Sequence, residues 1–393
     1  MLESTRLVRD LVALPSVNPM GRPLTGPDIY EHRVTAYLEE FFRSLGVPYE
    51  RQAVAPLREN IVATCELNGS GPTLIFEAHQ DTVPTDQMTI APFGAVIEDG
   101  RLYGRGACDI KGGMASMLAA FARIVREKPR ASGLNPEAPR RLIMACSVDE
   151  EFTFLGVQRL AKTDFRAGSG GAVFAVVAEP TQLQIVNTHK GAVRWVLTTT
   201  GKACHSSRPE LGVNAIYHMA RLMPAIERYA ADLRASRSDP LLGTPTISVG
   251  MIAGGTSVNT VPDRCTIEID RRLLPGENPI EAQRHFVTWL RANVESSIAF
   301  ECPQPYLAAP ALSPEGSAEL VTRLGTAIDA VIGSHQVLAV PYGTDAAPLA
   351  EAGVPSVVFG PGDIARAHTR DEWVPLDEVE RASEILYRLA RLG

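Results

Sequence analysis

The chain is 393 residues long, with 38 Lys and Arg against 45 Asp and Glu and a formal net charge of −7. With 45% hydrophobic and 21% charged residues it has an ordinary globular composition, which excludes a disordered, collagenous or coiled-coil chain. The acidic balance gives no footing for nucleic acid or an anionic membrane surface as partner, and the length predicts two or three domains.

In chain order, residues 1–14 interleave Glu3, Arg6, Arg9 and Asp10 with apolar positions, so no signal-peptide core is expected there. Residues 28–45 place Val34, Tyr37, Leu38, Phe41 and Leu45 at helical spacing and stop at Gly46. Residues 73–78 read as a buried strand, 112–127 as a helix, and 142–148 and 172–178 as two further buried strands. No apolar run reaches the roughly 20 residues of a membrane span. Apolar strands alternating with helices predict an α/β domain, its mixed, mostly parallel sheet covered by helices on both faces.

The pattern changes near His189. Residues 193–200 alternate like a strand with one wet face, and a helix follows over 213–234. After a polar loop at 235–245 come strands at 246–252 and 265–272, a helix at 279–294 and a strand at 298–302. That order fits a compact two-layer α+β unit. Buried-strand texture returns after Pro303, clearest at 356–360. The expected organisation is one domain of residues 1–188 and 303–393, interrupted by an inserted domain of residues 189–302. Six cysteines, at 65, 108, 146, 204, 265 and 302, form no CxxC pair. They read as free, mostly buried thiols of a reducing compartment, with the cytoplasm as default location.

Metal-ligand residue types cluster after the predicted strands. The strand at 73–78 runs into His79-Gln80-Asp81, where positions i and i+2 share a face. His79 suits a metal ligand with Asp81 fixing its tautomer, although a packed strand-end histidine looks the same. Gly104-Arg105-Gly106-Ala107-Cys108-Asp109 precedes a helix without Walker or GxGxxG spacing. Asp109 on that tight turn suits a carboxylate bridging two metals, or a helix cap. Asp149-Glu150-Glu151 follows the strand at 142–148, where α/β sheets place their sites, and would otherwise be an exposed acidic turn. Glu179 follows the strand at 172–178, and His368 comes after Gly360-Pro361-Gly362-Asp363. Imidazoles and carboxylates without thiolate suit Zn²⁺, with Co²⁺ or Mn²⁺ able to substitute. Two such ions bridged by one carboxylate would activate water and polarise a carbonyl.

Together these motifs resemble the dinuclear zinc amidohydrolases and exopeptidases that include acetylornithine deacetylase, succinyl-diaminopimelate desuccinylase, aminoacylase and carboxypeptidase G. The resemblance spans nearly the whole chain, from Asp10-Leu11-Val12 to His368. It implies that His79, Asp109 and Glu179 hold one metal, that Asp109, Glu151 and His368 hold the second, and that Asp81 orients His79. It implies Glu150 as general base and a cis peptide at Asp109-Ile110. Cys204-His205-Ser206-Ser207 and Gly212-Val213-Asn214-Ala215 are similar to the family's lid motif. His205 would then stabilise the oxyanion, reaching across a homodimer formed through the inserted domain. Asn259 and Arg272 resemble the lid's substrate-binding pair, and backbone N–H groups of Gly360 and Gly362 would meet the substrate carboxylate.

Ala78, Ala178 and Cys204 stand where the family usually has glycine. The implied reaction is hydrolysis of the amide of an N-acyl amino acid. Gly212-Val213-Asn214-Ala215-Ile216 and Leu274-Pro275-Gly276 look nearest the acetylornithine deacetylases. A desuccinylase is next, then a dipeptidase or carboxypeptidase. A non-catalytic relative would lack a ligand or Glu150, and all are present. The lid residues and carboxylate-binding Arg272 argue against a two-metal phosphohydrolase.

Overall fold

The computed structural model describes residues 2–67, 70–127, 138–166 and 171–392. The chain divides into two compact units. The first comprises Met1–Thr188, Pro314–Leu338 and Thr344–Gly393, and the second His189–Ser313 and Ala339–Gly343. The second unit runs on past residue 302 because strand Leu307–Ala309 pairs with strand Gly191–Thr200 of that unit.

The first unit is built on an eight-stranded sheet. Its strand order is Tyr49–Ala55, Arg58–Glu66, Arg141–Ser147, Thr73–His79, Val173–Val177, Ser356–Val358, Ile185–His189, Val337–Val340. Thr73–His79 is parallel to Arg141–Ser147 and to Val173–Val177, which is in turn parallel to Ser356–Val358. The four central strands therefore end at one edge. The two outer strands Tyr49–Ala55 and Arg58–Glu66 pair antiparallel. The outermost, with one residue buried, carries no apolar run that would announce it.

Side-chain alternation decides what each strand offers. Leu74, Phe76 and Ala78 join the main core with residues of helices Glu3–Val12, Gly112–Glu127, Ala318–Ile332 and Leu376–Leu392. Glu77 and His79 therefore share the opposite face. Helix Gly112–Glu127 is buried on nearly all sides, which matches its run of small and apolar residues. Helix His32–Leu45 starts later than the spacing predicts and ends at Gly46 in the left-handed conformation.

The second unit carries an antiparallel sheet, ordered Thr246–Gly254, Arg264–Leu273, Gly191–Thr200, Phe300–Glu301. Trp195, Leu197, Ile267 and Ile269 face helices Ala215–Ser236 and Pro279–Asn293. Both helices begin on asparagine caps: Asn214 accepts from the Tyr217 N–H, and Asn278 from those of Ile280 and Glu281. Edge strand Thr246–Gly254 leaves Met251 and Ile252 exposed. The six cysteines are unpaired, with Cys108, Cys146 and Cys265 buried and the other three partly so. Among the described residues no helix is long and apolar enough to cross a membrane.

Candidate metal centre

The parallel strands deliver their ends to one place. His79 closes its strand, in register with Ser147, and Asp149-Glu150-Glu151 come one residue after Ser147, beyond Val148. Glu179 lies two residues beyond Val177 of the neighbouring strand. Asp109 comes from the loop before helix Gly112–Glu127. Gly106 makes that loop possible: its φ is +82°, and a Cβ there would lie 2.6 Å from Thr82. The Asp109-Ile110 peptide is cis, as the resemblance implied.

Two groups of potential ligands result, His79–Asp109–Glu179 and Asp109–Glu151–His368. Within each, the ligand atoms lie within 4.8 Å of one another. Asp109 belongs to both. Its Oδ1 is 3.2 Å from His79 Nε2, and its Oδ2 is 3.3 Å from His368 Nε2. Glu151 Oε1 is 3.3 Å from the same His368 nitrogen, and Glu179 Oε1 is 4.0 Å from His79 Nε2. One carboxylate thus offers an oxygen to each half.

His79 Nδ1 donates to the Asp81 carbonyl oxygen at 3.0 Å, with the Asp81 carboxylate at 3.6 Å. This fixes the ring so that Nε2 faces the Asp109 carboxylate. The Asp81 carboxylate accepts from Asn18 at 2.8 Å and from the Glu150 and Glu151 N–H groups at 3.2 Å each. It therefore ties the His79 strand to the acidic turn. Burial alone would raise its pKa; bonding to His79 and the charge of Arg58 outweigh that and hold it at about 2.

The cluster is crowded with negative charge. Burial pushes the carboxyls of Glu150, Glu151 and Glu179 up, and repulsion from one another and from Asp109 adds to it. Burial opposes a charged His79, yet its bonds to Asp109 and Asp81 hold its pKa well above the histidine range. His368 is likewise pushed up to about 11 against burial, by Asp109 and Glu151. The two groups with Glu150 bring together carboxylates and two imidazoles, all oxygen and nitrogen donors. The donor set fits metal ions of the hard-to-borderline class.

Sequence reasoning missed the layer behind these two groups. Asp149 has a left-handed φ of 67° and is held by Arg58, Asn18 and Thr153. Arg58 also grips Glu31 through two guanidinium nitrogens. Glu77 and Asp345 form a second buried acidic pair, Asp345 bonding Ser147 at 2.8 Å. Isolated carboxylates in strands and loops carry no local sign of burial, so only motif order could have found them.

Other expected residues belong to neither group. In the second unit, His205 pairs across a short bridge with Thr260, and the Ser206 N–H donates to the Asn259 carbonyl. His205 and Asn259 are exposed. The Ser207 N–H donates to His205 Nδ1 at 3.1 Å, so a neutral ring carries its proton on Nε2. Cys204, in the same bridge, keeps a negative φ, so the missing glycine costs this backbone nothing. Arg272, on a different strand, is engaged with Asp270 at 2.8 Å. One expectation needs correction. The Gly360 N–H donates to Thr181 Oγ1 at 3.0 Å and the Gly362 N–H to Glu378 at 2.8 Å. Both donors are spent holding the loop, so they do not present themselves to a substrate carboxylate.

Carboxylates and imidazoles gathered at the carboxyl edge of a parallel sheet, in two groups that share one carboxylate, fit a metal-dependent hydrolase. The chain belongs to Peptidase family M20/M25/M40, whose family model matches residues 75–392. It is 32% identical over 333 residues to an acetylornithine deacetylase of Myxococcus xanthus, covering 84% of this chain and 82% of that one. An acetylornithine deacetylase of Proteus mirabilis is 28% identical, covering 98% and 95%. Among solved structures, an M20 metallo-carboxypeptidase of Sulfolobus solfataricus superposes with a TM-score of 0.79. It is 19% identical, with 100% of this chain and 99% of that chain covered. A dinuclear metal-binding M20 peptidase of Bacillus subtilis gives 0.66 at 18% identity, covering 98% and 96%.

Proposed function

We propose that the protein hydrolyses the amide bond of an N-acyl amino acid, with N-acetylornithine as the first substrate to test. The observation that carries this reading is the pair of ligand groups sharing Asp109, with the buried Glu150 outside both. The curated relatives named acetylornithine deacetylase support the substrate. His79, Asp109 and Glu179 would hold one divalent ion, and Asp109, Glu151 and His368 the other, Zn²⁺ first and Co²⁺ or Mn²⁺ as substitutes. Such ions supply Lewis acidity and lower the pKa of a water.

Glu150 takes a proton from the attacking water and delivers it to the leaving amine. Its raised pKa, caused first by burial and then by Glu179, Glu151 and Asp109, suits a group that must hold that proton in transit. Asp81 keeps the His79 ring oriented. His205 offers its Nε2–H to the oxyanion. Asn259 and Arg272 bind the substrate, the guanidinium of Arg272 facing its carboxylate. A second copy of the chain supplies His205, and the exposed apolar residues of edge strand Thr246–Gly254 support a homodimer through this unit. The unpaired cysteines support a reducing, cytoplasmic location.

The test is amine release from a panel of N-acetylornithine, N-succinyl-diaminopimelate and dipeptides. The protein is loaded with Zn²⁺ or Co²⁺, beside a chelated control. Metal-dependent turnover of an acyl amino acid is the expected result. Cleavage of dipeptides alone would replace the substrate, and no turnover by the loaded protein would end the reading.

A further inference from the structure

Strand Trp373–Pro375 pairs antiparallel with Arg101–Tyr103, and this pairing carries Glu372 into the interior beside the Asp109 loop. Glu372 is fully buried, and both of its oxygens are doubly engaged. Oε1 accepts the N–H groups of Cys108 at 2.9 Å and Asp109 at 3.1 Å. Oε2 accepts the Gly106 N–H at 3.1 Å and Arg105 Nη1 at 2.6 Å. Arg105, itself buried, balances the charge and also donates to the Pro84 carbonyl at 3.2 Å. The backbone from Gly106 to Asp109 is thus wrapped round one carboxylate. The same segment carries His368, whose Nε2 meets Asp109 Oδ2.

We propose that Glu372 is a positioning residue for Asp109, setting the angle at which its two oxygens face the two ligand groups. This rests on the reading of Asp109 as the shared ligand. A carboxylate has about four acceptor sites, and Glu372 uses all of them on this loop. An amide has one oxygen, so Glu372→Gln turns an NH₂ group toward N–H donors whichever way it rotates. Because Asp109 belongs to both groups, its displacement weakens both ions together. Loss of a ligand that serves one group alone would weaken one.

The test titrates chelator-treated, full-length protein with Zn²⁺ against a competing chelator, and records the visible spectrum with Co²⁺. Circular dichroism first establishes that each variant is folded. In Glu372→Gln both dissociation constants should rise by about 10–100-fold, as for other residues that orient metal ligands, and the Co²⁺ spectrum should change. Glu372→Asp keeps the charge against Arg105 while withdrawing the oxygens, so it serves the same test if the Gln variant does not fold. Two unchanged constants, or a change in one alone, would overturn the inference. Absence of Zn²⁺ uptake by the unsubstituted protein would instead bring down the two-metal reading, and this inference with it.

Discussion

In the first unit His79, Asp109, Glu150 and Glu179 are all buried, while in the second His205 and Asn259 stand exposed. The buried set rests on strand ends and on a second layer of Arg58, Asn18 and Glu31, so folding has already oriented it. The exposed set sits on a two-residue bridge and a loop, with His205 fixed by little beyond Ser207. Groups whose protonation must be controlled need burial and neighbouring charge to shift them. The oxyanion donor proposed at His205 would act once charge develops on the substrate, and needs only a proton on Nε2. His368 falls between: half of its side chain is exposed, yet Asp109 and Glu151 hold it.

If the buried set does the proton transfer, Glu150→Gln should show the largest effect. It keeps the shape and belongs to neither ligand group, so both ions should bind as before. The turnover number should fall by about 10²–10⁴, the usual worth of a general acid–base group. Steady-state kinetics on metal-loaded protein measures this. A variant within tenfold of the unsubstituted enzyme would remove Glu150 as the proton carrier. The exposed set is tested by His205→Ala, with an expected loss of about 10²–10³ in turnover number, typical of one oxyanion donor. Its unfolding temperature should barely move, because an exposed substitution seldom shifts stability by more than about 0.5 kcal/mol. Unchanged turnover would leave the second unit without that role.

The same contrast explains what could be read from the sequence. His79, Glu150, Glu151 and Glu179 follow apolar runs, and an apolar run of strand length announces both its burial and its end. Glu372 follows no apolar run, and its role appears only when Trp373–Pro375 pairs with Arg101–Tyr103, a long way back in the chain. Strand Val96–Glu98 of that small sheet is wholly exposed and has no apolar pattern to detect. Arg58 was silent for a similar reason, since its partners Glu31 and Asp149 come from distant segments. Gly360 and Gly362 misled in the other direction. The resemblance offers two free N–H donors there, and only the fold brings Thr181 and Glu378 up to take them.

The smallest effect per step should come from pH. In chelator-treated protein at neutral pH both imidazoles keep a proton: His79 is held well above the histidine range, and His368 up to about 11. Burial opposes both charges, and the surrounding carboxylates prevail. A ligating imidazole must be neutral, so ion uptake expels these protons. Proton release on binding means that affinity rises with pH, by roughly tenfold per unit for each proton expelled. Each group holds one imidazole, so each ion's affinity should rise with pH above neutrality, flattening in the His368 group as pH nears the His368 value. Asp109, whose carboxyl is held well below its usual range despite burial by His368 and His79, contributes no proton. Calorimetric titration with Zn²⁺ in buffers of different ionisation enthalpy counts the protons directly. Released protons would place the titrating charge in the buried unit. A count near zero would mean that the carboxylates do not hold the rings charged, and the electrostatic difference between the two units would lose its basis.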